Sequence, residues 1–298
     1  LAAAAPVVFF FAAVAALGCF GLVDADLWLY LRVGEGICRS GRVPRADVFS
    51  YSAAGRPWVD VHWLAQAALW LAYRAGGAEG LSVLRLALVA AIFAVLYRCC
   101  RRSAPPALAC GVLALALVAA GDGFLMKPQL FALLLAAAFV SALERPGRAP
   151  WFLVPLQLLW ANVHPSFFLG PALVLLYWAD ARVKGGGRGG ASGPLLAACA
   201  LACLATPYGP AVLLQPWRQV GTRLYAETVI PWLPPSSAFP APASFLYFRI
   251  MLAITAVSFA LNARNARPAH LAVAAAFAVL SLRSRRHIPL FAVLSAPG

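Results

Sequence analysis

The sequence predicts an all-α integral membrane protein with about ten transmembrane helices and a long first loop on the outward face of the membrane. Composition is the first reason, since 63% of the 298 residues are hydrophobic, 11% are charged and the mean hydropathy is +0.81. The second is that apolar residues form blocks of bilayer-spanning length. The third is that many basic residues gather in short loops. The whole chain, 1–298, is therefore predicted to be one polytopic membrane domain, either a fragment or a processed form, since it begins at Leu1 without methionine.

Ten apolar runs define the predicted helices. The first, 6–23, is followed by further spans and lacks the basic leader of a signal peptide, which favours a retained helix. The others are 81–97, 107–120, 130–143, 151–163, 167–178, 194–206, 245–261, 271–282 and 288 onward. The amphipathic stretch 62–73 is either a further span or a helix at the membrane interface. Its polar residues and the Gly76-Gly77 break favour the interface, within an outward first loop that covers 24–80.

Basic residues mark one side of the predicted membrane domain. They occupy four short loops that alternate with the other loops, so all four can lie on the cytoplasmic side. These loops hold Arg98, Arg101, Arg102, Arg145, Arg148, Arg182, Lys184, Arg188, Arg264 and Arg267. The formal net charge of +14 thus reflects membrane topology, and nucleic acid is not expected as a partner. Most of the seven cysteines lie in apolar runs, and no disulfide framework is predicted.

Titratable side chains gather on the opposite, outward face. This one-sided sorting, which includes three of the four histidines, favours an active site there over random solvated loops. The candidate residues are Asp24, Asp26, Asp60, His62, Lys127, His164, Tyr208, Glu227, Trp232 and His287. Arg283, Arg285 and Arg286 fall on the same face, contrary to the charge rule. Either the topology is displaced by one span, or these cations bind a partner such as a phosphate.

The segment "DAD" at 24–26 has two interpretations. If it is extended, Asp24 and Asp26 point to the same side and can converge on a metal ion or on an acceptor hydroxyl. If a helix starts there, Asp26 is its N-cap and Asp24 is the freer of the two to act as a base. Residues 27–33 alternate apolar side chains as a strand does, but their position outside a span favours a short interfacial helix that ends at Gly34 or Gly36.

The remaining candidates have a plain interpretation beside the functional one. A carboxylate two residues from an imidazole, as in Asp60 and His62, can orient it or share its proton, or the two can be a simple surface pair. Lys127 is a phosphate contact or a lysine that extends to the membrane interface. His164 follows an apolar run, where a polar group lines a cavity or finds a partner. Tyr208 lies in a Pro-Gly turn, and the loop with Glu227 and Trp232 either closes over a site or simply packs.

Taken together, these motifs resemble the GT-C type of polytopic membrane glycosyltransferases, which includes the polyprenyl-phosphate-mannose-dependent protein mannosyltransferases and bacterial relatives. The resemblance rests on acidic "DADLW" directly after the first span, on a long outward first loop, and on short basic inward loops. It also rests on the set "KPQLF", "ANVHPSFFLG", "TPYGP", "PWLPPS" and "RRHIPLF". The motifs are distinctive as a set and cover most of the chain.

The resemblance implies transfer of a sugar from a polyprenyl-phosphate donor to a lipid, glycan or protein acceptor, on the outward face of a bacterial inner membrane. It assigns the base to Asp24 or Asp26, and the phosphate contacts to Lys127 and to Arg283, Arg285 or Arg286. A divalent metal ion bound by the two aspartates is left open, because the acids are spaced D-x-D rather than side by side. The alternatives are a transporter or flippase for a lipid-linked sugar or anion, and an inactive assembly partner with the same fold.

Overall fold

Helices make up 74% of the protein, and the part of the chain that the computed structural model describes contains no β-strand. The described residues are 4–145, 147, 149–183, 190–215, 232–236, 243–264 and 266–297. The all-α prediction is confirmed, and each predicted apolar run lies largely within a helix. The helices are α1 (Ala5–Gly18), α2 (Leu27–Ser40), α3 (Trp63–Cys100), α4 (Pro106–Ala119), α5 (Pro128–Leu143), α6 (Leu153–Val163), α7 (Leu169–Val183), α8 (Gly193–Ala202), α9 (Ala243–Leu261), α10 (Pro268–Arg283) and α11 (Ile288–Ser295).

Three helical segments in the described residues are long and apolar enough to cross a membrane. They are Trp63–Cys100, Pro165–Val183 and Ser244–Leu261. Six further apolar helices have 10–17 residues, which at 1.5 Å per residue is shorter than the ~30 Å hydrocarbon core of a bilayer. The helices therefore indicate a membrane association, and their lengths do not confirm the predicted count of about ten spans.

Helix α5 lies at the centre of the bundle. Its buried positions surround the whole helix, as expected for an apolar helix that packs against α3, α6, α7 and α11. Pro128 occupies its first turn, where the missing N–H has no cost. The two ends of α5 lie ~24 Å apart, given its 16 residues. Each end carries a separate group of polar side chains.

Helix α2 packs closely on the first part of α3. A Cβ atom on Gly34 would lie 2.1 Å from the carbonyl oxygen of Gln66, so only glycine allows the observed approach. The predicted end of this helix at Gly34 or Gly36 is wrong: α2 continues to Ser40 and ends at Gly41, which has a φ of 65°. The strand-like alternation is overridden by burial of one helical face. Residues 24–80 are thus largely helical, with a non-helical stretch at 41–62.

The predicted break at Gly76 and Gly77 is present. Both glycines have non-helical dihedrals within α3, and Gly77 has a φ of 60°. The break separates an amphipathic first part of α3 from the apolar second part, which contains the predicted span 81–97.

A buried arginine holds the segment that leads to Asp24. Arg85, on the apolar part of α3, donates hydrogen bonds to the carbonyls of Gly18 at 3.0 Å and Gly21 at 3.3 Å, and also to the carbonyl of Phe20. The last carbonyls of a helix have no intrahelical donor, and here Arg85 supplies one at the end of α1. The position of Asp24 therefore depends on a contact from within the bundle.

Candidate functional site

Seven polar residues meet at the end of the bundle where α5 begins. We call this group the candidate site. Its members come from the first loop, from α2, from the junctions before α3, α5 and α7, and from the turn before α11. They are Asp24, Tyr30, Asp60, His62, Lys127, His164 and Arg286. Six of the seven are candidates from the sequence, and Tyr30 is new.

Asp24 and Asp26 lie in a turn rather than in an extended segment. The Asp26 N–H donates to the Asp24 carboxylate, with an N–Oδ1 distance of 3.1 Å, and the Leu27 N–H donates to the Asp24 carbonyl at 3.2 Å. Asp26 is the N-cap residue of α2 by position, but its side chain accepts no capping hydrogen bond. Asp24 faces the candidate site and its side chain is 10% exposed, whereas Asp26 is exposed. The two carboxylates are therefore not equivalent.

Lys127 pairs with Asp24. The Nζ atom lies 3.8 Å from Asp24 Oδ2, and this oxygen has no hydrogen-bond partner among the described residues. Because Lys127 directly precedes Pro128, its side chain lies at the N-terminal end of the central helix α5. An acid and a cation thus face each other at the edge of the site.

Asp60 and His62 form a second acidic and basic pair. Asp60 is 2% exposed, and its Oδ1 accepts a hydrogen bond from the His62 backbone N–H at 2.9 Å and lies 3.7 Å from His62 Nδ1. The His62 ring lies between two other rings of the site, with centroids 6.1 Å from Tyr30 and 5.5 Å from His164. A buried carboxylate so placed can orient the imidazole.

His164 is held in one orientation by Ser166. The Ser166 N–H donates to His164 Nδ1 at 3.1 Å, and the Ser166 hydroxyl, 2.8 Å from the same nitrogen, accepts from Trp160 Nε1. With Nδ1 accepting, the proton of the neutral ring is assigned to Nε2. Burial lowers the pKa of His164 well below its usual value, and the charges of His62, Arg286 and Lys127 lower it further. His164 is therefore a neutral donor.

A cavity of about 130 Å³ adjoins the site. Its walls are mostly aliphatic and aromatic, while His164, Arg286 and His287 provide polar groups. Burial and the charge of Arg286 lower the pKa of His287 to about 4, so this imidazole is also neutral. The lining residues are Gln129, Ala132, Leu133, His164, Pro165, Ser166, Phe168, Leu169, Trp232, Phe277, Leu280, Arg286, His287 and Leu290.

Arg286 is the cation that faces this cavity. Its guanidinium carbon lies 4.0 Å from the centre of the Trp232 ring, and no carboxylate of the described residues forms an ion pair with it. Burial lowers the pKa of Arg286, which nevertheless stays charged at neutral pH. Gln129 fixes the backbone here, because its amide donates to the Arg286 carbonyl at 3.2 Å.

The three candidate arginines differ in exposure and in the contacts that they make. Arg283 is exposed in the last turn of α10. Arg285 donates from Nε to the Pro234 carbonyl at 3.4 Å, and its guanidinium lies 4.6 Å from the Phe245 ring centre. Only Arg286 lines the cavity. The sequence cannot distinguish them, since side-chain direction changes with each residue of the turn that precedes α11.

The structure describes two of the three remaining candidates, Tyr208 and Trp232. The Tyr208 hydroxyl donates to the Pro44 carbonyl at 2.7 Å, and Arg45 donates to the Pro207 carbonyl at 3.1 Å, so this turn anchors the first loop. Burial is the main cause that raises the pKa of Tyr208 to about 12. Trp232 lines the cavity beneath Arg286. Glu227 lies outside the described residues.

Tyr30 is the main residue that the sequence reasoning missed. Its place depends on the packing of α2 against α3, which brings its ring beside that of His62, and no motif in the sequence indicates that contact. Gln129 and Ser166 were also missed, because their roles depend on contacts with the backbone of Arg286 and with the ring of His164.

Among the described residues, no group of three His, Cys, Asp or Glu side chains is arranged to hold a metal ion. Asp24 faces Lys127 and Asp26 faces outward, so the pair does not converge as the extended interpretation of "DAD" requires. Binding of a divalent ion at these two residues would need a third ligand from elsewhere.

A second polar cluster lies at the other end of α5. Arg267 pairs with Glu144 at 3.1 Å and with Asp180 at 2.8 Å, and Glu144 also accepts hydrogen bonds from His270 and Tyr177. This cluster ties the ends of α5, α7 and α10 together beside the basic loops. His270 is thus separated from the other three histidines, which lie at the candidate site or its cavity.

Comparison with known proteins gives no relative: no family model, curated protein or solved structure matches the chain. The resemblance to GT-C glycosyltransferases therefore remains a prediction from the motifs. What the site can do must be argued from its own geometry and chemistry.

Proposed function

We propose that the protein is a membrane glycosyltransferase that moves a sugar from a polyprenyl-phosphate donor to an acceptor at the outward face of the membrane. One observation carries this proposal: Arg286, a half-buried cation without an acidic partner in the described residues, faces a largely apolar cavity that adjoins the site where Asp24 pairs with Lys127. A ligand for such a place has an anionic group and an apolar chain, and a lipid-linked phosphate has both.

The reaction assigns a role to each side of the site. Asp24 accepts the proton of the acceptor hydroxyl or amine as the acceptor attacks the anomeric carbon. The bond between that carbon and the phosphate oxygen breaks, and the phosphate leaves with the electron pair. Lys127, Arg286 and the Nε2–H of His164 stabilise its developing negative charge. Displacement from the opposite face inverts the anomeric configuration.

Burial distinguishes the two candidate bases. Asp24 faces the site and lies beside Lys127, whereas Asp26 is exposed and makes no capping contact. When the donor phosphate approaches Lys127, it competes for this ammonium group and leaves Asp24 freer to take the proton.

The cavity wall suits the apolar chain of the donor. It is built by α5, α7, α10 and α11, and Leu133, Phe168, Phe277 and Leu290 supply aliphatic and aromatic surface. Apolar contact along this wall would seat the part of the polyprenyl chain next to the phosphate. The rest of a long chain would remain among the membrane lipids.

The interior of α5 argues against transport as the main activity. A transporter needs polar groups near the middle of the membrane along a path between both sides. Between the candidate site and the Glu144 cluster, α5 instead presents buried apolar residues, which include Leu133, Leu135, Ala136, Phe139 and Val140. The polar groups lie at the two ends, which favours a one-sided site.

The same arrangement supports an orientation in the membrane. The basic loops lie at the end of the Glu144 cluster, and the positive-inside rule places that end in the cytoplasm and the candidate site outside. We extend the proposal to about ten spans in a bacterial inner membrane. Helices of 10–17 residues then cross where the bilayer thins locally or where polar flanks reach into the headgroup region.

Separate substitution of the two aspartates tests the reaction. With a polyprenyl-phosphate sugar as donor, Asp24→Asn should lower kcat by about 100-fold or more, the usual effect of losing a general base. Asp26→Asn is the matched control and should stay within about threefold of wild type, because this carboxylate is exposed and does not cap α2. Full activity of both variants would rule out the proposed base.

A further inference from the structure

Tyr30 brings a hydroxyl group to the candidate site. Its ring is half-buried on α2 and lies 6.1 Å, between centroids, from the ring of His62. In the part of the chain that the structure describes, the hydroxyl has no hydrogen-bond partner. The hydroxyls of two other tyrosines are used within the protein: that of Tyr208 donates to the Pro44 carbonyl, and that of Tyr177 donates to Glu144.

The charges around Tyr30 keep its hydroxyl protonated. Burial is the main cause that raises the pKa of Tyr30, and the carboxylates of Asp26, Asp24 and Asp60 raise it further. A phenol in this place is a neutral hydrogen-bond donor throughout the physiological range. It adds a donor to the site without adding a charge.

Tyr30 belongs to the same row of rings as His164. The rings of Tyr30, His62 and His164 follow one another, with centroids 6.1 and 5.5 Å apart. His164 then lines the cavity together with Arg286. The charge of Arg286 acts to lower the pKa of Tyr30, and Tyr30 acts to raise the pKa of Arg286, which agrees with this placement. The site thus holds two neutral donors, Tyr30 and His164, and one cationic donor, Arg286.

We infer that the Tyr30 hydroxyl donates a hydrogen bond to the phosphate of the polyprenyl-phosphate donor, beside Arg286. The inference rests on the proposed function and adds a residue to it. Helix α2, which starts shortly after Asp24, then contacts the leaving group through Tyr30. Binding of the phosphate fixes the turn that carries the base. A phenol suits the task, since it stabilises the leaving phosphate and keeps its own proton.

The test measures the binding of a short-chain polyprenyl phosphate, and of the uncharged polyprenol of equal length, to the full chain in nanodiscs. Tyr30→Phe keeps the ring and its contact with His62 and removes only the hydroxyl. Loss of one hydrogen bond to a charged group should weaken binding of the phosphate by about 10- to 100-fold. Binding of the polyprenol should not change, because it has no phosphate.

Tyr97→Phe is the matched control. Tyr97 is partly buried near the C-terminal end of α3, with its ring centroid 6.1 Å from that of Phe11. The Tyr97→Phe variant should bind both lipids as tightly as wild type does. An equal loss for phosphate and polyprenol in Tyr30→Phe would mean a deformed cavity and would overturn the inference. Unchanged binding of both would also overturn it. If wild type does not prefer the phosphate to the polyprenol, the proposed donor class fails together with the inference.

Discussion

At the scale of single residues, the charge of Arg286 is the feature that most constrains the function. Even partial burial of a guanidinium is costly in an apolar bundle unless an anion or hydrogen-bond acceptors face it. The protein provides the face of Trp232 but no carboxylate among the described residues. Cation–π contact offsets only part of the desolvation cost, typically about 0.5–2 kcal/mol. An anionic ligand is therefore expected to complete the site.

We expect Arg286→Gln to weaken the binding of a polyprenyl phosphate by about 10- to 100-fold, because a charge-assisted contact with the phosphate is lost. Titration of the lipid into nanodisc-embedded protein measures the effect. Arg283→Gln provides the comparison, since this exposed side chain at the end of α10 loses the same charge outside the cavity. If the two substitutions have equal effects, the phosphate is held by general electrostatic attraction and not by Arg286.

Much of the candidate site was predictable at this scale, for a simple reason. Loops that join antiparallel spans return to the same end of a bundle, so titratable groups in alternate loops meet there, as His62, Lys127 and His164 do. The sequence could not choose Arg286 from three neighbouring arginines, since that depends on the direction of each side chain in a turn. The sequence also did not show that the Tyr208 hydroxyl donates a hydrogen bond to the Pro44 carbonyl, because these residues are far apart in the chain.

At the scale of helices, the contact between α2 and α3 positions the site. Helix α2 carries Tyr30 and follows Asp24, while the first residues of α3 follow His62. Gly34 lets the two backbones approach until no side-chain atom fits between Gly34 and the Gln66 carbonyl. The sequence predicts that the helix ends at Gly34 or Gly36, because glycine commonly ends helices. In the structure, close packing explains this glycine, and Gly41 ends the helix instead.

Gly34→Ala should lower the free energy of unfolding by about 1–3 kcal/mol, because the added methyl group would lie 2.1 Å from the Gln66 oxygen and force α2 away from α3. Thermal unfolding in detergent would show the loss, and transfer activity should fall with it because Tyr30 moves with α2. The matched variant is Gly36→Ala, on the exposed face of the same helix with no atom within 4 Å. It should stabilise the protein by about 0.5–1 kcal/mol. Equal stability of the two variants would contradict this account of the packing.

At the scale of the whole molecule, the polar side chains lie in two groups at opposite ends of an apolar bundle. The outer surface of the bundle is apolar too, and exposed residues such as Phe9, Val83, Leu201, Ile254 and Val279 would contact lipid. The sequence predicts this separation because alternating loops sort the acids from the basic residues. Helix lengths were less predictable, since the apolar run 6–23 holds a helix of only 14 residues, Ala5–Gly18, and the run 194–206 holds one of 10 residues, Gly193–Ala202.

The orientation of the molecule follows from the two ends and can be measured with cysteines. In a background without the seven native cysteines, Ser50→Cys places a thiol in the first loop at the end of the candidate site, and Ser103→Cys places one between α3 and α4 beside Arg101 and Arg102. Both serines are exposed. We expect a membrane-impermeant maleimide to label Ser50→Cys in intact spheroplasts, and to label Ser103→Cys only after the membrane is opened, because basic loops stay in the cytoplasm. The reverse pattern would place the candidate site in the cytoplasm, where an outward-facing donor could not reach it. Labelling of both thiols in intact spheroplasts would show that the two ends do not lie on opposite sides of the membrane.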